Sequence, residues 1–357
     1  MRIFIDIGHP AHVHYFRFFI DNMQSKGHAV FVTSRDKEIT FELLHHYKIP
    51  YISRGKGGKG LWKKLIYIFK ADRLLLKLAK SFKPDLFLSF ASTYAAHAAK
   101  LYGVPHIAID DTEHARLEHL MYAPFTDVIL TPSCFNKDFG KKQIRFNSYI
   151  EFSYLHKQIF SPDLNIRAKL GLNEKEKFVL FRFISWNASH DIGHKGISNG
   201  LKKQMIELLV QRNYRVFISS EKDLDDYFSP FLLATNISEI HSVIREASFF
   251  IGESGTMSTE ACILGTPAVF VNSLDAGVFQ EEVAYGLLYS YRNDDNLLHK
   301  VKELIETQGI KEEHQKRAER LHTEKINISD FLVWFVENYP HSKNVMINEP
   351  GYQALFK

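Results

Sequence analysis

The sequence predicts an α/β protein built from two doubly wound parallel sheets. Three observations carry this. Short apolar runs that stop at polar or glycine-containing loops alternate with stretches whose apolar residues recur at helical spacing, the pattern of βα units. The series runs from residue 2 to residue 131 and starts again at residue 177, after an irregular polar stretch. The length of 357 residues suits two domains of ordinary size.

The elements follow in order. In the first series, strands are expected at 2–7, 29–33, 49–52, 86–90, 106–109 and 128–131. Helices are expected at 16–25 (stopped by Gly27), 40–47, 65–81 (closed by Pro84) and 93–102 (stopped by Gly103). The second series predicts strands at 177–183, 215–219, 249–252 and 268–271, with helices at 199–212, 240–247, 257–264, 297–307 and 310–323. Domains are therefore expected over residues 1–160 and 161–326. A helix within 327–340 is expected to cross back onto the first domain, followed by a loosely structured tail over 341–357.

Composition excludes several classes. Cys134 and Cys262 are the two cysteines and lie far apart, which rules out a disulfide scaffold or a zinc site built on cysteine pairs and suits a reducing compartment. The N-terminal run MRIFIDIGHPAHVHYF meets Asp6 and three histidines and does not read as a signal peptide. No stretch approaches 18 uncharged apolar residues. A net charge of +4 is too small to argue for a nucleic-acid partner. That charge is unevenly placed: residues 1–150 carry 22 Lys and Arg against 13 Asp and Glu. Much of the excess lies in residues 54–83, where ten basic residues face only Asp72 and interleave with Leu61, Trp62, Ile66 and Phe69. Such a segment suits a helix lying on an anionic membrane surface, or equally a solvated helix whose other face packs in the core.

In open parallel sheets, ligands bind beyond the carboxyl ends of the strands. The loops there read GHPAHVH, ASTY, DDTEHAR, ISWNASHDIGHKG, SEKD and ESGTMSTE. The sharpest signal is FFIGESGTMSTEACILGTPAVFV, a buried strand running through a Glu-Ser-Gly-Thr turn into a helix. Small residues at such a turn admit a ligand close to the backbone, and free N–H groups at a helix start meet phosphate. Ser254 and Thr256 add hydroxyl donors. Glu260, one turn further and expected on the exposed edge, suits a ribose diol.

This stretch resembles the donor-binding motif of the GT-B enzymes, the family with two Rossmann-like domains and an interdomain cleft. It is similar there to the peptidoglycan N-acetylglucosaminyltransferase that makes lipid II and to the non-hydrolysing UDP-N-acetylglucosamine 2-epimerase. The chain as a whole resembles a bacterial and archaeal family of unknown function grouped with GT-B proteins, through GHPAHVHYF, SWNASHD and Ser219-Ser220-Glu221. The resemblance implies that Ser254 and Gly255 contact a diphosphate, that Glu260 holds the ribose, and that Gln280 contacts the donor sugar. It implies a UDP-linked sugar substrate, no cofactor and no catalytic metal.

Residues at the other strand ends complete the candidate site. Arg182 is expected to neutralise the diphosphate and Trp186 to stack on a base or sugar. His190 and Asp191 suit an orienting pair, and Ser219 and Glu221 either approach the base or cap a helix. His9, His12 and His14 follow the first strand. His12 is the expected general base, with Asp110, Asp111 and Glu113 as the alternative. Taken singly, each histidine is also a candidate helix cap or core residue.

The epimerase pattern is incomplete. Gly8-His9-Pro10-Ala11-His12 replaces Gly-Thr-Arg-Pro-Glu, Ser89 to Thr93 carries no acid, and Ser185-Trp186-Asn187-Ala188 replaces His-Arg-Arg-Glu. The first reading is therefore a glycosyltransferase acting on a polysaccharide or lipid-linked acceptor, cytoplasmic, with peripheral membrane contact through residues 54–83. A nucleotide-sugar epimerase or hydrolase is second, and a non-catalytic sugar-nucleotide or polysaccharide-binding protein third.

Overall fold

The fold is taken from a computed structural model that describes residues 1–58, 60–184, 196–221 and 224–357, with the backbone alone at 61, 62, 64 and 65. The chain forms two compact units, Met1–His156 with Lys325–Lys357, and Lys157–Glu324.

The first unit holds seven parallel strands: β1 (Arg2–Ile7), β2 (Ala29–Ser34), β3 (Ile52–Ser53), β4 (Leu86–Phe90), β5 (His106–Ile109), β6 (Val128–Pro132) and β7 (Gln143–Phe146). Their order is β3-β2-β1-β4-β5-β6-β7. The central strands are buried on both faces and so read as continuous apolar runs. Phe4 of β1 stacks on Phe87 of β4 at 4.6 Å. β7 escapes the sequence reading because it is an edge strand, with half-buried Gln143 and exposed Arg145 alternating with buried Ile144 and Phe146.

The first helix spans Pro10–Ser25 and starts well before the expected Phe16. His9 caps it by accepting the Ala11 N–H at Nδ1 (3.2 Å), and Pro10 supplies a first-turn φ with no N–H to satisfy. The helix Ile328–Glu337 packs in this unit, where Ser329 Oγ donates to the Ser153 carbonyl at 2.8 Å. The tail is ordered, which corrects the expectation of a loose one. Residues His341–Asn348 and Pro350–Phe356 are helical, Tyr352 stacks on Trp334 at 4.8 Å, and Gln353 Oε1 accepts the Asn147 N–H at 2.6 Å.

The second unit holds five parallel strands: β8 (Lys177–Phe183), β9 (Tyr214–Ser220), β10 (Phe249–Gly252), β11 (Ala268–Val271) and β12 (Leu288–Tyr291). Their order is β12-β11-β10-β8-β9. β12 is the second strand absent from the sequence reading, again at an edge and with only Leu288 fully buried. In each unit the strand order reverses at one place, between β1 and β4 in the first and between β8 and β10 in the second. Among the described residues no helix is long and apolar enough to cross a membrane.

Candidate functional site

Each sheet has its own candidate site at the point of reversal, where a crevice opens beyond the strand ends.

In the first unit the organising residue is Asp6, fully buried on β1. Its Oδ1 accepts from Thr33 Oγ1 of β2 (2.8 Å) and from Arg54 Nε, just after β3 (2.9 Å). Its Oδ2 accepts from Ser92 Oγ, just after β4 (2.5 Å). One carboxylate thus ties the ends of four strands. Arg54 donates from Nη1 to the Tyr67 hydroxyl at 2.6 Å and lies 4.5 Å from the Tyr94 ring centroid. The sequence reading placed Arg54 in a basic surface segment; the structure buries it against Asp6. Neither residue stands out as a site residue in the sequence. The available signal was an acid inside an otherwise apolar strand, which requires a partner.

His12 sits in the first turn of the Pro10–Ser25 helix, its ring 4.7 Å from that of Phe90 at the end of β4. Its Nδ1 accepts the Gly8 N–H at 3.3 Å. Burial, then the positive charges of His9, Lys37 and Arg54, hold its pKa well below the usual histidine range. The ring is therefore neutral at pH 7, and with Nδ1 accepting, the proton resides on Nε2. His12 offers a hydrogen-bond donor where the sequence reading expected a base. His9 is a helix cap. His14 lies about 200° around the helix from His12 and packs between Tyr47 and Tyr154 at 5.7 and 5.3 Å, so the structure places it in the core. Ala91, following β4, has φ +45°, a strained conformation for a residue with a Cβ.

Asp110, expected as the alternative base, is engaged at both oxygens. Oδ1 accepts the Thr112 N–H (2.9 Å), and Oδ2 accepts the Tyr122 hydroxyl (2.5 Å) and lies 3.0 Å from His119 Nε2. It anchors the loop. The neighbouring Asp111 is half-buried and accepts from Thr112 Oγ1 at 3.0 Å. Burial, then the negative charges of Asp110 and Glu113, raise its carboxyl to about 7. Of the three acids that the sequence offers at the end of β5, Asp111 is the one whose carboxyl is raised toward neutrality.

In the second unit, Arg182, Ser219 and Glu221 come together because β8 and β9 pair Arg182 with Ser219. Arg182 donates to Ser219 Oγ and to Glu221 Oε1, each at 2.7 Å. The expected free cation for a diphosphate is thus an ion pair. A separate cavity of about 120 Å³ lies at the ends of the same two strands, lined by Phe183, Asn199, Lys202, Ser220 and Asp225. Trp186, His190 and Asp191 lie outside the described residues.

Ser254 caps the helix Gly255–Ile263, its Oγ accepting the Met257 N–H at 3.4 Å. Ser254, Gly255 and Thr256 are half-buried, and the N–H groups of Gly255 and Thr256 donate to no described residue. A Cβ on Gly255 would stand 2.6 Å from the Phe279 ring, so a side chain there would have to displace Phe279. Glu253, immediately before the turn, is fully buried and accepts the N–H groups of Ile184 (3.0 Å) and Ile197 (2.8 Å), with Lys202 Nζ at 3.3 Å. The sequence reading passed over Glu253, although a carboxylate closing an apolar strand was its signal. Glu260 is 4% exposed and lies 3.0 Å from His241 Nε2, which corrects the expectation of an exposed edge. Gln280 is exposed and donates to Asp275 Oδ2 at 3.0 Å.

Two parallel-sheet α/β units of this kind define a GT-B fold. Solved structures similar to the chain include the S. aureus protein MnaA with UDP, at a TM-score of 0.72 and 14% identity over 96% of this chain and 98% of that one. The UDP-GlcNAc 2-epimerase of Neisseria meningitidis bound to UDP-GlcNAc matches at 0.66 and 14%, covering 94% and 99%. The glycosyltransferase SsfS6 of Streptomyces sp. SF2575 matches at 0.60 and 15%, covering 95% and 100%. The chain belongs to the family described as "Protein of unknown function (DUF354)", whose model matches residues 1–332. An uncharacterized protein of Methanocaldococcus jannaschii is 28% identical over 283 residues, covering 75% of this chain and 81% of that protein.

Proposed function

We propose that the protein is a glycosyltransferase that takes a sugar from a UDP-linked donor and passes it to an acceptor hydroxyl. The observation that carries this reading is the turn Ser254-Gly255-Thr256 at the point of reversal of the second sheet, with two backbone N–H groups undonated among the described residues. Such a turn suits a diphosphate, whose negative charge it meets without a side-chain cation. The fold it shares with glycosyltransferases and with UDP-bound proteins supports the same substrate class.

In the proposed reaction the acceptor oxygen bonds to the anomeric carbon, the bond from that carbon to the diphosphate oxygen breaks, and UDP leaves with the electron pair. The acceptor proton goes to Asp111, whose carboxyl near 7 exchanges protons at neutral pH. His12 donates from Nε2 to a substrate oxygen. No metal is required in this scheme. Epimerisation of the donor sugar is the second reading, favoured by the same Asp111, since a carboxyl tuned to neutrality also serves to abstract a proton from carbon.

The helix Leu61–Phe82 is proposed to rest on an anionic membrane, because Ile66 and Phe69 are 53% and 75% exposed there beside exposed Lys63, Lys70 and Arg73.

The test is thermal unfolding with UDP, GDP, CDP, dTDP and ADP and their sugars, followed by product analysis. A nucleotide at a hundred times its Kd stabilises by about 2.7 kcal/mol, which raises the midpoint by about 5–10 °C. A UDP-specific shift with sugar transfer to an added acceptor is expected. An isomerised UDP-sugar formed without acceptor would replace the first reading by the second, and no shift with any nucleotide would refute both.

A further inference from the structure

Glu253 stands directly before the Ser254-Gly255-Thr256 turn and is fully buried. Backbone and side chain both tie strand ends together. The Glu253 N–H donates to the Arg182 carbonyl at 3.0 Å, and its carbonyl accepts from Asn272 Nδ2, just after β11, at 3.1 Å. Oε2 accepts the Ile184 N–H, just after β8, at 3.0 Å. Oε1 accepts the Ile197 N–H, just ahead of the helix Asn199–Gln211, at 2.8 Å. A carboxylate, which only accepts, suits one N–H donor at each oxygen. The local geometry beside the turn is thus built on a buried negative charge.

That charge opposes what the turn would bind. A helix N-terminus presents about half a positive charge, whereas Glu253 places a full negative one on the adjoining residue. A diphosphate at the Gly255 and Thr256 N–H groups would meet net repulsion unless the carboxylate were compensated. Lys202 compensates it. This lysine is 8% exposed, in the first turn of the helix Asn199–Gln211. Its Nζ lies 3.3 Å from Glu253 Oε1 and 4.1 Å from the Phe183 ring centroid. Arg182, also at these strand ends, is bonded to Ser219 and Glu221 instead. Burying an ammonium is costly unless it is paired, so packing against Phe183 does not by itself account for lysine at this position.

We propose that Lys202 sets the nucleotide affinity of the second unit through Glu253: the carboxylate positions the turn, and the ammonium cancels its charge so that the turn accepts a diphosphate. Lys202 is then a positioning residue that acts without touching the ligand. This role rests on the reading of the Ser254 turn as a diphosphate site. Removing the lysine leaves one uncompensated negative charge. Such a charge about 12 Å from another, at an effective dielectric constant of about 20, changes affinity about tenfold.

The experiment is calorimetric titration of the full chain with UDP and, as the uncharged control, uridine. Lys202→Met is expected to weaken UDP about tenfold and to leave uridine within about twofold of wild type. Lys202→Arg keeps the charge and is expected to bind both as the wild type does. The double variant Glu253→Gln with Lys202→Met removes both charges and is expected to bind UDP about threefold more tightly than Lys202→Met alone, although it lies further from the wild type. Should Lys202→Met fail to fold, Lys202→Gln, which still donates to Glu253 from an uncharged amide, carries the same expectation. Uridine weakened as much as UDP, UDP affinity unchanged in the uncharged variant, or a double variant no better than the single would each overturn the proposal while UDP still binds the wild type. Failure of UDP to bind the wild type would instead refute the reading of the turn, and this role with it.

Discussion

Replacing Asp6 by asparagine removes one charge and almost no volume, and its cost follows from what that charge touches. The carboxylate is fully buried and accepts from Arg54, Thr33 and Ser92. The Arg54 side chain is 2% exposed, so it cannot turn to water for compensation. Removing one partner from a buried ion pair costs about 3–5 kcal/mol, because the surviving charge is left unpaired. Asparagine sets an amide N–H₂ among groups that themselves donate but keeps one acceptor oxygen for them, so the lower end of that range is the expected cost. For a unit of this size 1 kcal/mol moves the midpoint by about 2–4 °C, so Asp6→Asn lowers it by about 6–12 °C. Differential scanning calorimetry reads this directly. The double variant Asp6→Asn with Arg54→Met removes both charges and is expected to recover at least about 1 kcal/mol relative to Asp6→Asn alone. A fall of less than about 2 °C in the single variant, or strict additivity in the double, would show that Arg54 does not depend on this carboxylate.

Three further outcomes are expected. The Asp111 carboxyl is raised to about 7, against about 4 in an unfolded chain, so the folded protein holds the extra proton between those values. Stability therefore falls as pH rises from about 4 to 7. Asp111→Asn should flatten that slope in pH-dependent melting, and should also abolish the rise of turnover through pH 7 that a general base produces. Gly255→Ala drives a methyl to within 2.6 Å of the Phe279 ring and should weaken UDP binding about tenfold; Phe279→Leu on that background makes room and should restore part of it, as read by equilibrium titration. The protein should float with anionic vesicles at low salt, and Phe69→Ser with Ile66→Ser should leave it in the soluble fraction, whereas wild type that ignores vesicles would remove the membrane proposal.

The fold class was legible in the sequence because central parallel strands are buried on both faces and so appear as short apolar runs. Leu86–Phe90 and His106–Ile109 have the boundaries read from sequence alone. The edge strands Gln143–Phe146 and Leu288–Tyr291 bury less and leave no such run. The Ser254 turn was legible as well, since a helix start after a buried strand has a local signature in its small and hydroxylated residues.

What sequence could not convey was the use of each polar group, because many of the partners are far apart in sequence and the nearer ones are chosen by packing. Asp6 meets Arg54 and Ser92 only once β1 lies beside β2 and β4. The His12 proton sits on Nε2 only because the Gly8 N–H occupies Nδ1. Asp110 and Asp111 are adjacent and chemically alike, yet Tyr122 and His119 engage the first while burial beside that charge tunes the second. The sequence alone determined which residue types reach the strand ends. Tertiary structure decided which of them are already spoken for, because strand order sets the neighbours and neighbours set proton, charge and partner.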